Sequence, residues 1–433
     1  MNKRLAILII ILILLLVGGG LWWWMRPTAA PNPGPTTNDP SQTFPVPPPI
    51  TASSTDPSLA VGLPVGSPTA NEPIDSSSAN QPNPRLIPLS ARAVVGAAVI
   101  PAINASSSDQ IIFLERETGL IVEVNLASRE KKELARVPVR AFINEAVLDF
   151  NLKSKKLSVW FSTTSGDERN FFQSSLTLNP ASSTIINLPE MAPEPMGPNT
   201  RGFALSPTHD QWFTIEQVGE ETIGKIFDVK NPKGRLVFES KINQWLVSWP
   251  EKNSIVLTTK PSNRATGYLY LLNPRNNPNT EQKIIGGLNG LTTLISPDGQ
   301  KVLYAKSVAP NLELGLYHRQ KNETRILAMA TLPQKCVWAT DSTAIYCAVP
   351  RTFPLATYPD DYLAGQVSTD DLLWRIEAKD GTARLIWSDE PGLGDTANLV
   401  LAQQNQKVIF TNRLTNQLYL IDPAIGVASQ PIP

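Results

Sequence analysis

Histidine and cysteine are scarce in this chain: two of each in 433 residues, His209, His318, Cys336 and Cys347. Two cysteines exclude a disulfide framework and a thiolate metal cage. Two histidines leave little material for acid–base chemistry. Net charge is missing as well, because 38 Lys and Arg are balanced by 38 Asp and Glu. Phosphate binding needs a surplus of cations, so nucleic acid is not expected as a partner. The sequence holds no Gly-x-Ser-x-Gly elbow, no His-Glu-x-x-His zinc pair and no phosphate loop. Neither histidine has a neighbour that suggests a triad: His209 reads as a solvated turn residue and His318 as the exposed end of a strand. These absences lead to an expectation of no catalytic residue, no metal and no cofactor.

What the sequence does have begins at its first residues. Leu5 to Met25 reads LAILIIILILLLVGGGLWWWM, an almost unbroken apolar run. About 20 residues at a helical rise of about 1.5 Å cross the roughly 30 Å hydrocarbon core of a bilayer. Lys3 and Arg4 precede the run, and Trp22, Trp23 and Trp24 close it where indoles favour the headgroup zone. The run is longer than the apolar core of a cleaved leader. The expectation is a single-pass anchor in the cytoplasmic membrane over residues 5–25, with 1–4 in the cytoplasm and the rest outside. Residues 26–84 are rich in Pro, Ser, Thr, Asn and Ala. They are too polar to bury a core and read as a disordered linker, roughly 40 Å long on average if flexible.

From 85 to 433 the texture is different. Short alternating strands are separated by turn residues at Ser108-Asp109, Lys153-Ser154, His209-Asp210, Lys252-Asn253, Asp298-Gly299, Asp341-Ser342 and Asn405-Gln406. Their spacings are about 44, 57, 43, 45, 43 and 64 residues, a period near 45 with four strands per unit. One unit cannot bury both its faces, but units stacked around an axis can. The fold expected is all-β: a seven-bladed β-propeller of four-stranded antiparallel blades, preceded by one transmembrane helix and a disordered linker. Either Arg85–Leu89 or Gly426–Ile432 could supply the last blade's outer strand. Gly286-Gly287-Leu288-Asn289-Gly290 reads as a turn between blades.

Ser296-Pro297-Asp298-Gly299 followed by Gln300-Lys301-Val302-Leu303-Tyr304 resembles the turn and strand of TolB-type, WD-like propeller repeats. Tyr268–Asn273 and Gln417–Asp422 are similar to that family's third strand. Ser206-Pro207 keeps half of the turn, and Ala339–Ser342 departs from it. The resemblance spans roughly Ala91 to the C-terminus. It implies that loops joining second to third strands share the usual binding face with the connections between blades.

The longest spacing holds an insertion, Arg351 to Asp371. On that face it would present Tyr358, Asp360, Asp361 and Tyr362, with Asp167 and Arg169 from another hairpin beside them. Aromatic rings with carboxylates suit protein or carbohydrate contact, or a weak calcium site. Packing over the central channel is the plainer use of such a loop. If Asp341-Ser342 centres a hairpin, Cys336 faces Cys347, and outside the cytoplasm they could form a cross-strand disulfide. Two buried thiols would serve the same place. The function expected is non-catalytic: a membrane-anchored, extracytoplasmic module that binds protein or glycan. The alternatives are a propeller hydrolase or lyase with carboxylates such as Asp360 and Asp361 at the channel, or a part of a secretion or pilus assembly.

Overall fold

The computed structural model describes residues 85–422, with short breaks at 103, 105–106, 139–141, 152–153, 166–167, 179–187, 229, 279 and 389–391. The anchor and linker read from the sequence, and Gly426–Ile432, lie outside the described residues. Among the described residues no helix is long and apolar enough to cross a membrane.

Among the described residues, twenty-eight strands form seven four-stranded sheets. Every strand pair is antiparallel. Six sheets take their strands in chain order, first to fourth. We number them blades 1 to 6, with first strands opening at Val94, Ile143, Thr200, Trp245, Thr292 and Cys336. Blade 7 holds Thr396–Ala402, Lys407–Asn412 and Leu418–Ile421, and its fourth strand is Leu86–Pro88 from the start of the domain. Leu86 pairs with Ile421 and Pro88 with Tyr419. Of the two ends that could close the ring, residues 85–89 do so. Pro88 lacks an N–H and sits on an outer edge, where none is needed.

All seven turns between first and second strands fall where the sequence places them. Their chemistry is local. In blade 5, Gly299 takes φ +67, and the Ser296 hydroxyl accepts from the Lys301 N–H at 2.9 Å. Asp298 accepts from the Gln300 N–H at 2.9 Å. Blade 3 repeats the device with Ser206 accepting from the Gln211 N–H at 3.1 Å. The glycine run at 286–290 is a correction. The fourth strand of blade 4, Gln282–Asn289, runs through it, and the register slips where it pairs with Tyr268–Tyr270. Gly286 lies against the Tyr268 ring, where a Cβ would stand 2.5 Å from it. The run is therefore a bulged edge strand packed against an aromatic ring, and only Gly290 turns the chain.

Second strands sit mid-sheet with a blade on either side. Most are accordingly apolar on both faces, as in Ile111–Leu114 and Ala344–Val349, all buried. Six buried apolar clusters fill the spaces between blades 7 and 1, 1 and 2, 3 and 4, 4 and 5, 5 and 6, and 6 and 7. Among the described residues no such cluster spans blades 2 and 3.

Candidate functional site

The insertion is a clamp. Residues 351–370 join the second and third strands of blade 6 and contain one helical turn, Asp360–Leu363. Tyr358 and Tyr362 do not project; they are buried with Leu312 and Leu332 in a small core of their own. Asp360 accepts from the Ser262 hydroxyl at 2.7 Å and the Asn263 N–H at 2.6 Å, tying the loop to blade 4. Asp361 accepts from the Thr357 N–H at 2.7 Å within the loop. Both half-buried carboxylates are thus engaged with loop groups, Asp360 between blades and Asp361 within its own turn. Arg169 pairs with Glu145 at 2.6 Å and lies over the Phe171 ring. Asp167 lies outside the described residues.

Beneath the clamp is an ionic cluster that sequence reasoning missed. Lys335, 2% exposed, places Nζ 2.7 Å from Asp371 and 2.7 Å from Asp395, both carboxylates fully buried. It also donates to the Thr369 hydroxyl at 2.7 Å. The Tyr362 hydroxyl donates to Asp395 at 2.8 Å, and Arg413 of blade 7 reaches Asp395 at 3.3 Å. Burial pushes the Asp371 carboxyl up, and Lys335 and the Thr396 N–H offset this only in part. Burial also opposes ionisation of Asp395, but Lys335, Tyr362 and Arg413 together hold it below the usual carboxylate range. Burial and the Asp395 charge push the Tyr362 phenol up. These charges neutralise one another inside the protein, so the cluster locks the insertion to blades 6 and 7. Cys336 and Cys347, facing each other at the head of blade 6, are joined by a disulfide.

The opening in the ring lies between blades 2 and 3. Blade 2 is two-faced because its strands alternate. Leu148, Leu157, Val159 and Phe161 pack on blade 1. The register places Asp149 opposite Ser158, Ser158 opposite Ser175, Trp160 opposite Gln173, and Gln173 opposite Glu194. Paired residues share a face, so this polar set looks toward blade 3. Blade 3 answers with Trp212, Thr214 and Glu216 in its second strand, while Phe213 and Ile215 pack on blade 4. The result is a cleft of about 490 Å³.

Two contacts span it. His209 Nδ1 lies 2.7 Å from Asp149 Oδ1. Phe171 meets Phe203 edge-on at 6.2 Å. His209 is exposed in its turn, as expected, and is also partnered across the cleft, whereas His318 is half-buried in its strand rather than exposed. Trp212 stacks on Phe227 at 5.7 Å and is held as a flat platform. Trp160 is 7% exposed, and its indole N–H has no acceptor among the described residues. The Thr208 hydroxyl donates to Asp210 and holds that carboxyl below its usual range.

A third feature is spread over a whole face. Second-to-third hairpins and the connections between blades emerge on one side of the disc, the loop face; the other turns emerge on the opposite side. Among the described residues, nine of the eleven exposed large apolar side chains stand on or at the edge of the loop face. They include Leu355 at 91%, Phe142 at 68%, Leu414 at 67% and Ile326 at 52%.

No family profile matches the chain, and no curated protein sequence matches it. Solved structures do. Oligogalacturonate lyase from Vibrio parahaemolyticus is similar with a TM-score of 0.47 and 10% identity, over 76% of this chain and 97% of that one. The tricorn protease has a TM-score of 0.47 and 10% identity, over 79% of this chain and 34% of that one. An uncharacterized protein from Listeria monocytogenes has a TM-score of 0.43 and 13% identity, over 77% of this chain and 96% of that one. The propeller is defined by its own seven hydrogen-bonded sheets.

Proposed function

We propose that this chain is a membrane-tethered, extracytoplasmic propeller that binds a protein partner through its loop face and catalyses no reaction. The observation that carries this reading is the gathering of exposed apolar side chains on that face. Solvent-exposed Leu and Phe gain by leaving water, so the face that carries most of them is the one a partner would cover. Both described chain ends, Arg85 and Asp422, lie on the opposite face, where Leu86–Pro88 begins and Leu418–Ile421 finishes. The described segment thus enters and leaves the ring on the side away from the loop face. The apolar run at 5–25, its flanking cations and the linker at 26–84 support the tether. The Ser-Pro-Asp-Gly turn and its partial copy at Ser206-Pro207 support kinship with TolB-type propellers.

The test is proximity cross-linking of the full chain in its native envelope, comparing wild type with Leu355→Ser/Leu414→Ser. Both residues are exposed, so the fold should survive their change. The reading expects wild type to capture a defined protein that the double variant loses. Identical capture by both would overturn it.

A further inference from the structure

We propose that the cleft between blades 2 and 3 binds an oligosaccharide built of uncharged hexoses. This site is separate from the loop face and does not rest on the protein-binding reading.

The interface between blades 2 and 3 need not have been polar. At the other six junctions each blade presents apolar side chains to its neighbour. Between blades 2 and 3 polar side chains face one another beside Trp160 and Trp212, and the His209–Asp149 pair and the Phe171–Phe203 contact bridge them at two points without filling the gap. Polar groups held close together in a half-dry site are costly when partners are lacking. One such group is explicit: Trp160, more than nine-tenths buried on the cleft wall, has an indole N–H with no acceptor among the described residues.

The remaining chemistry narrows the ligand. A pyranose ring has a flat C–H face and a rim of hydroxyls. The first calls for an aromatic plane, and the second for planar groups that accept or donate in pairs. Trp212 offers the plane, preset by its stack on Phe227. Asp149, Gln173 and Glu194 offer the planar groups, all on one face of blade 2. Carboxylates outnumber cations on the lining: Asp149, Glu194 and Asp210 against Lys156, besides His209. Uronate or sulfated sugars would meet like charge, whereas neutral sugars would not. The His209–Asp149 pair crosses from blade 3 to blade 2 and braces the gap. Glu194 lies on the blade's outermost strand, so the cleft reaches the rim and admits a chain rather than a single ring.

The full chain, held in a detergent without a sugar headgroup, is titrated calorimetrically with cellohexaose, chitohexaose and hexagalacturonate. One of the two uncharged hexaoses should bind with a submillimolar Kd, and hexagalacturonate should not. Trp212→Ala should weaken binding by about tenfold or more, as loss of an aromatic anchor does. Glu194→Gln, at an exposed position that leaves the core untouched, should weaken it several-fold; it carries the test alone if Trp212→Ala fails to fold. The proposal is overturned if neither uncharged hexaose binds at millimolar concentration, if binding survives the substitutions unchanged, or if hexagalacturonate binds as tightly.

Discussion

Replacing Lys335 by methionine should unlock the insertion, and the structure fixes how much this costs. Methionine keeps the length of the side chain and removes the charge. In the native protein Nζ serves Asp371 and Asp395, each at 2.7 Å, and the Thr369 hydroxyl at 2.7 Å. Asp395 keeps Arg413 at 3.3 Å after the change. Asp371 keeps the Thr396 N–H at 2.8 Å and the Thr369 hydroxyl but no cation, and its Oδ1 already has no partner among the described residues. Removing one member of a buried ion pair strands the other, at about 3–5 kcal/mol. The native Asp371 carboxyl is already pushed up by burial, and without Lys335 it rises further. The variant then folds best with Asp371 protonated, so its deficit should shrink as the pH is lowered. Adding Asp371→Asn removes the stranded charge and should restore about 1–2 kcal/mol, a coupling in the range found for neighbouring groups. Urea unfolding of wild type, single and double variants measures all three. A loss below about 1 kcal/mol for Lys335→Met, within reach of an ordinary surface change, would refute the reasoning. A double variant no more stable than the single one would do the same.

Other positions give independent expectations. Asp395 is held below the usual carboxylate range, so its stabilisation is present above the unfolded value of about 3.9 and is lost as the pH falls through the folded one. The stability gap between wild type and Asp395→Asn should therefore be wider at neutral pH than in strong acid, as read by urea titrations at both. Replacing Cys336 and Cys347 together by alanine opens a loop of sequence separation 11 and should cost about 2–3 kcal/mol, read from the shift in unfolding midpoint against wild type. Gly96→Ala drives a Cβ to 2.2 Å from the Ala146 carbonyl oxygen, where the first strands of blades 1 and 2 approach. Backbone must move there, so calorimetry should show a loss of about 1–3 kcal/mol. Deleting residues 1–89 removes the outer strand of blade 7 and Leu89 from the core, and should leave an aggregating, open ring by size-exclusion chromatography.

The ring was legible in the sequence because its signals are local. Turn residues recur at a period near 45, and second strands such as Lys301–Val308 and Lys407–Asn412 are apolar on both faces. Strand ends were less legible: the first strand of blade 3 begins at Thr200, three residues ahead of the apolar stretch that marks it. The insertion's length was visible, but its orientation was not. Whether Tyr358 and Tyr362 point out or in depends on Leu312 and Leu332, which are distant in sequence. The Lys335 cluster gathers residues from 335 to 413 that share no motif, so no local pattern marks it. The cleft did leave a trace. Lys156 and Ser158 put polar side chains on one face at the start of the second strand of blade 2, but Val159-Trp160-Phe161 is apolar throughout and the strand is buried from Leu157 to Thr163, so the trace is faint.

The claim on which the account turns is that one seam of the closed ring, between blades 2 and 3, lacks the apolar filling of the other six. Native-state hydrogen exchange across all seven blades tests it directly. Opening free energy follows buried apolar contact, so amides of Glu168–Thr177 and Thr200–Leu205 should exchange faster than their counterparts flanking the blade 3–4 and 5–6 seams. Equal protection at every seam, or the weakest protection elsewhere in the ring, would contradict it.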